Sequence, residues 1–267
     1  MSADGAAPIA VAAGVGSALR AVPRAGWHMA TVAATHRETP NASRLELDVD
    51  GWPGNAAGQH LDVRLTAPDG YTATRSYSIA SSGSSTRVVL AVDKLPDGEV
   101  SPYLVDELRA GDQLEVHGPL GAFFVWRPVA ESGDDRPVQL IAGGSGVVPL
   151  YAMAHAHAEA GDPTPFRLLY SVRTPDDVYF ADEWRALAEA SAPLRLDLVY
   201  TRRAPEGWPT PPGRITPEAL SAAVIPAADR PRVYVCGSTG FVERVADQLV
   251  ALGHEPRDIR TERYGGT

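Results

Sequence analysis

The sequence predicts two domains in tandem: an antiparallel, closed or nearly closed β-barrel, followed by an α/β domain built on a parallel, Rossmann-like sheet. Three observations predict this. Between residues 28 and 130 the apolar residues recur with period two in short runs, as in half-buried strands. After a polar, proline-bounded stretch, RPVAESGDDRP at 127–137, apolar runs alternate with helical segments, the pattern of parallel strands joined by crossover helices. Finally, 267 residues with 44% hydrophobic content suit two cores of ordinary size better than one. The expected boundaries are 27–130 for the barrel and 137–267 for the α/β domain, behind an extension over 1–26.

That extension, MSADGAAPIAVAAGVGSALRAVPRAG, reads as a disordered segment and not as a signal peptide, because Asp4 stands where a basic region should be and the run is mostly Ala and Gly. In the barrel, Leu45, Leu47 and Val49 alternate with polar neighbours. Leu61, Val63 and Leu65 follow, then Val88–Val92 and Leu114–Val116, with GWPGN and APDG as turns. Ser101 and Pro102 read as an N-cap and first-position pair, so one short helix over YLVDELRAGD interrupts the strands. In the second half the strands are VQLIAG, FRLLYS, LRLDLVY and RVYVCG. Helices are expected over about 147–160, 181–190 and 240–252, the last closed by Gly253.

A net charge of −9 opposes nucleic acid and anionic membrane surfaces, and no stretch has the uninterrupted apolarity of a membrane span. Cys236 is the single cysteine, which excludes an intramolecular disulfide, a cysteine zinc site and a four-cysteine iron–sulfur cluster from these residues. The expectation is a soluble, cytoplasmic monomer. No metal is expected either: His155 and His157 are two apart on a helix and point to different faces, and His28, His36, His60, His117 and His254 form no ligand motif.

Chemistry concentrates in three segments. AGGSGVVPL at 142–150 leaves a strand and enters a helix, so its glycines let main chain approach a ligand while the helix N-terminus presents unpaired N–H groups to a pyrophosphate. Pro149 breaks a full dinucleotide fingerprint, and Val147 breaks the G-x-S-x-G of a hydrolase elbow; a turn that only packs strand on helix is the plainer alternative. RSYSIASS at 75–82 offers a cation for phosphate at Arg75, a ring to stack at Tyr77 and a hydroxyl for a ring nitrogen at Ser78, a set that suits a flavin nucleotide. KLPDGEVSPYL at 94–104 adds Gly98, the main chain at Val100 and Ser101 as a second anion site.

With these segments in view, the chain resembles the ferredoxin–NADP reductase superfamily over about residues 28–264. The motifs arrive in family order: GQHLDVRL at 58–65, RSYSIAS at 75–81, DGEVSPYL at 97–104, GPLGAFF at 118–124, GGSGVVPL at 143–150, VYVCGSTGF at 233–241 and ERY at 262–264. The resemblance implies that Arg75, Tyr77 and Ser78 hold a flavin, with Val92 and Lys94 alongside and Gly98, Val100 and Ser101 on its pyrophosphate. It implies that Gly144, Ser145 and Gly146 cradle the pyridine nucleotide, and that Cys236 and Gly237 lie beside the nicotinamide. A lone cysteine ending a strand is otherwise a small core residue.

Glu262 and Tyr264 match the acid-x-aromatic ending in which an aromatic ring covers the flavin, although Gly265, Gly266 and Thr267 extend beyond it here; Glu262 is read either as a proton relay or as a surface pair. Ser78, Cys236, Glu262 and Tyr264 form the implied catalytic set. Thr201 and Arg202 occupy the place of the Ser-Arg pair that binds a 2′-phosphate in similar enzymes, with Arg173 nearby, which favours NADPH over NADH; FAD is expected over FMN. The implied function is transfer of hydride from NADPH to FAD and of electrons to a separate acceptor protein, such as a ferredoxin or an oxygenase component. The alternatives are a free-flavin or quinone reductase and a non-catalytic flavin-binding redox subunit.

Overall fold

The computed structural model describes residues 25–189 and 194–264. Six strands make the first sheet: β1 (Gly26–Thr39), β2 (Ala42–Val49), β3 (His60–Thr66), β4 (Thr72–Ser78), β5 (Arg87–Asp93) and β6 (Gln113–Leu120). Their order is β4-β3-β6-β1-β2-β5, and every neighbouring pair is antiparallel. An antiparallel bridge between Ile79 and Leu90, with the Ala80 N–H on the Val89 carbonyl at 2.7 Å, joins the two end strands and closes the barrel. Alternation does what the sequence expects. Leu45, Leu47, Leu61, Val63, Leu90, Val92, Leu114 and Val116 are buried inside, while Arg87 outside reaches Asp48 at 2.7 Å and Glu46 at 2.8 Å across β2. Register shifts between Val32 and Ala34 and between Arg37 and Thr39 bend β1, so its two halves serve different neighbours.

The expected helix after Ser101 is only a short turn, with its π-type part over Tyr103–Glu107. The Leu108 N–H bonds the Tyr103 carbonyl at 3.1 Å, and Leu104, Val105 and Leu108 join the barrel core. The Ser101 capping assignment is corrected: its hydroxyl accepts from the Leu95 N–H at 3.0 Å and ties the preceding loop, leaving the turn without a side-chain cap. Of the expected N-terminal extension, 1–24 lie outside the described residues, and Gly26 already pairs with Gly118. Residues 127–137 contain one helical turn, α1 (Val129–Ser132), whose first N–H bonds Asp162 at 2.6 Å.

Beyond it come β7 (Val138–Gly143), α2 (Val147–Glu159), β8 (Phe166–Val172), α3 (Ala181–Glu189), β9 (Leu194–Tyr200), α4 (Pro217–Ala223), β10 (Arg232–Ser238), α5 (Thr239–Ala251) and β11 (Ile259–Tyr264). The sheet is parallel with order β11-β10-β7-β8-β9. Two elements escape the sequence pattern. α4 is a seven-residue helix, capped by the Thr216 hydroxyl on the Ala219 N–H at 3.2 Å. β11, IRTERY, is a polar edge strand with no apolar alternation. The strand order reverses between β7 and β10, which places a crevice at their C-terminal ends.

One apolar cluster spans both sheets, with Ala42, Ala57, Ala91, Phe124 and Trp126 of the barrel against Val148, Met153, Phe180 and Trp184. Among the described residues no helix is long and apolar enough to cross a membrane, and no His/Cys/Asp/Glu group has the arrangement of a metal site.

Candidate functional site

The crevice is shaped first by main chain. Gly144 has φ of +56°, and a Cβ on Gly146 would lie 2.4 Å from the Cys236 carbonyl oxygen and 2.7 Å from the Gly237 nitrogen. The turn from β7 into α2 therefore lies flush against the end of β10. No side chain caps the start of α2, so the positive end of that helix opens beside Gly144 and Ser145, which line the crevice.

Two connected cavities run from this point. The larger, about 600 Å³, is lined by Arg173, Thr201, Arg202, Arg214, Arg244 and Gln248 among others. Among the described residues Arg202, Arg214 and Arg244 form no ion pair, whereas Arg203 is engaged with Asp176 at 2.5 Å. The smaller cavity, about 300 Å³, shares Ser171, Arg173, Thr201, Ser238 and Phe241 with the first, and adds Thr39, Asp93, Gly143, Tyr179 and Tyr264. Burial raises the Asp93 carboxyl above its ordinary range, with Arg173 opposing. The arginines come from four separate segments, so sequence reading found Arg173 and Arg202 and missed Arg214 and Arg244.

On the barrel, Arg75 is exposed and pairs with Glu99, whose other oxygen accepts from the Tyr71 hydroxyl at 2.9 Å. This contact brings β4 and the 94–101 loop together. Tyr77 is half-buried, and desolvation pushes its phenol up to about 12. Lys94 pairs with Asp106 at 2.5 Å, and a Cβ on Gly98 would lie 2.9 Å from the Ser101 hydroxyl. Val92 and Val100 put their side chains into the barrel core, which leaves main chain as what they can present to a ligand.

The two halves meet at His60. It stands opposite Ser78 in the β3–β4 register, and its Nδ1 lies 3.5 Å from Glu262 Oε1. Glu262 in turn is in register with Cys236 across β11 and β10. His60, a histidine that sequence reading set aside, thus stands between Ser78 and Glu262, and Glu262 stands beside Cys236. The Cys236 thiol is buried and is held well above its ordinary value, first by desolvation and then by the Glu262 charge. Tyr264 keeps 39% of its surface exposed, yet its hydroxyl donates to the Gly143 carbonyl at 2.5 Å, and desolvation pushes the phenol up to about 12. Residues 265–267, the expected extension past this ring, lie outside the described residues.

Residues 30–125 match the oxidoreductase FAD-binding domain family, and residues 140–247 match the oxidoreductase NAD-binding domain family. Ferredoxin–NADP reductase B of Sorangium cellulosum is 32% identical over 214 residues, covering 78% of this chain and 84% of that protein. The glycine betaine monooxygenase reductase subunit of Chromohalobacter salexigens is 30% identical over 212 residues, 79% of this chain and 56% of that protein, so the chain spans little more than half the length of this relative. Among solved structures, the Amycolatopsis cytochrome P450 reductase superposes with a TM-score of 0.78 at 27% identity, over 91% of this chain and 71% of that one.

Proposed function

Because the chain belongs to the ferredoxin–NADP reductase superfamily, with an FAD-binding domain ahead of an NAD-binding domain, we propose that it takes hydride from NADPH onto FAD and hands electrons to a separate acceptor protein. The observation that carries this reading is the meeting of the two half-sites: the glycine cradle and Cys236 at the ends of β7 and β10 face the Ser78 edge of the barrel through His60 and Glu262. The residues present fit both groups. A turn where a Cβ would strike main chain leaves room for a close diphosphate, and unpaired arginines line the adjoining cavity. Bound FAD supplies the chemistry, accepting two electrons with a hydride and releasing them singly.

This chain's residues orient and exclude. Arg75 exchanges Glu99 for a flavin phosphate, Tyr77 offers a flat face, the Ser78 hydroxyl bonds a ring nitrogen, and Gly98, Val100 and Ser101 provide main chain and hydroxyl at the pyrophosphate. With its thiol protonated, Cys236 acts as a compact wall beside the reacting ring and not as a nucleophile. Tyr264, whose hydroxyl bonds the Gly143 carbonyl and lies against Ser145 and the Gly146 main chain, is the group that a planar ring entering the smaller cavity displaces. Arg202, Arg214 and Arg244, with Thr201 and Arg173, set a preference for the extra phosphate of NADPH. The acceptor is of the class named for the relatives, a ferredoxin or an oxygenase component.

The test is an absorption spectrum of the purified protein, followed anaerobically by addition of NADPH or NADH. A flavin band that bleaches faster with NADPH supports the assignment. Bound flavin that neither nucleotide bleaches replaces it with a non-catalytic redox subunit, and flavin retained no better than a substrate points to a free-flavin reductase.

A further inference from the structure

Along β4 one row of side chains recurs at period two: Tyr71 just ahead of the strand, then Ala73, Arg75 and Tyr77. Ala73 and Tyr77 touch the barrel core, while Thr72, Thr74 and Ser76 are exposed on the opposite side. Tyr71 is firmly held for a residue at a hairpin tip. Its N–H donates to Asp69 Oδ1 at 3.0 Å, and its carbonyl accepts from the Ala67 N–H at 2.8 Å. Gly70, with φ of +87°, makes the turn between them, and its own N–H bonds the Ala67 carbonyl at 2.9 Å. The residue nevertheless keeps 57% of its surface exposed, so an aromatic ring with a fixed main chain is left open.

About 13 Å of strand separates Tyr71 from Arg75, yet their side chains converge on Glu99, Arg75 at one carboxylate oxygen and the Tyr71 hydroxyl at the other at 2.9 Å. Glu99 lies between Gly98 and Val100, so both side chains lean over the loop assigned to the diphosphate. The row therefore reads flat ring, cation, flat ring, from Tyr77 through Arg75 to Tyr71. FAD carries an isoalloxazine, a diphosphate and an adenine in that same order. Tyr77 and Arg75 account for the first two. A flavin that ended at one phosphate, as FMN does, would leave Tyr71 unused.

We propose that Tyr71 is the platform on which the adenine of FAD stacks, and so the residue that selects FAD over FMN. A purine offers an extended π-face to an aromatic ring, and an open phenol held by its hydroxyl has its ring orientation set before the base arrives. Glu99 supplies that hold and keeps it when a phosphate takes Arg75. The inference rests on the assignment of the barrel to a flavin nucleotide with its phosphate at Arg75.

The full-length chain, freed of flavin, is titrated calorimetrically with FAD and with FMN. Wild type is expected to bind FAD the more tightly. Tyr71→Ala should weaken FAD by about tenfold, the value of one base stacked on a ring, and leave FMN within about twofold of wild type. Tyr71→Phe keeps the ring and should hold FAD within about twofold, since only an exposed hydrogen bond is lost. Arg75→Ala should weaken both flavins, because both carry a phosphate. Equal losses of FAD and FMN in Tyr71→Ala, a Tyr71→Phe chain as weak as Tyr71→Ala, or wild type that binds FMN as tightly as FAD overturns the inference and leaves the flavin assignment standing. A wild-type chain that binds neither flavin overturns both.

Discussion

At the end of β7 the wall of the cleft is main chain with no spare room, whereas along β4 and the 94–101 loop it is made of side chains already paired with one another. Gly146 sits 2.4 Å, measured from a would-be Cβ, from the Cys236 carbonyl oxygen, and neither side of that contact can rotate away. Arg75, by contrast, is half-exposed and engaged with Glu99, a pair that solvent screens and a phosphate can replace. The proposed nucleotide wall is therefore set by the packing of main chain on main chain. The proposed flavin wall is set by ion pairs that can be exchanged, so folding and the proposed binding are separable there and nearly inseparable at Gly146.

The sharpest way to break this contrast is Gly146→Ala. The added methyl meets main chain at 2.4 and 2.7 Å, and overpacking of this kind is expected to cost about 3 kcal/mol, read as a lower Tm together with lost nucleotide binding. A variant that melts like wild type would mean that the turn can shift, and the rigid wall would have to be abandoned.

Arg75→Ala should behave in the opposite way. Apoprotein stability is expected to stay within about 1 kcal/mol of wild type, since only an exposed pair is lost, while flavin retention on desalting falls by roughly 100-fold in affinity. A drop in Tm without flavin loss would make Arg75 a structural residue. A smaller effect is expected from Arg202→Ala, which should raise the KM for NADPH about tenfold and that for NADH less than about twofold. Equal changes for both would remove the 2′-phosphate from this cavity.

The smallest effect is in pH. Desolvation pushes the phenols of Tyr77 on β4 and Tyr264 at the end of β11 up to about 12 in the folded chain. The unfolded phenol titrates near 10, so between roughly pH 10 and 12 the folded state holds more protons than the unfolded one and stability falls as pH rises. The protection is complete below about pH 10. Urea midpoints from pH 8 to 11.5 should show this decline, and Tyr77→Phe and Tyr264→Phe should each flatten it; a flat wild-type profile would mean that neither phenol is desolvated.

Much of the fold was legible because its signals are local. Alternation at Leu45, Leu47 and Val49 is a property of adjacent residues, and so is the glycine turn between VQLIAG and the helix that follows. Where a local signal misled, a distant partner had intervened: Ser101 has the chemistry of a cap, but the Leu95 N–H claims its hydroxyl. β11 was invisible as a strand because its pairing with β10, and not its own polar sequence, makes it one.

Residue type and short-range spacing were enough for the succession of barrel and parallel sheet and for the glycine turn at 144–146, and they supplied candidate side chains for flavin and nucleotide such as Arg75 and Arg202. The closing of the barrel between Ile79 and Leu90, the place of His60 opposite Ser78 and beside Glu262, and the contact of Glu38 with the left-handed turn at Phe180 come from tertiary packing. Those contacts link segments far apart in the chain. Their partners are chosen by the packing of whole sheets, and no pattern in neighbouring residues encodes that choice.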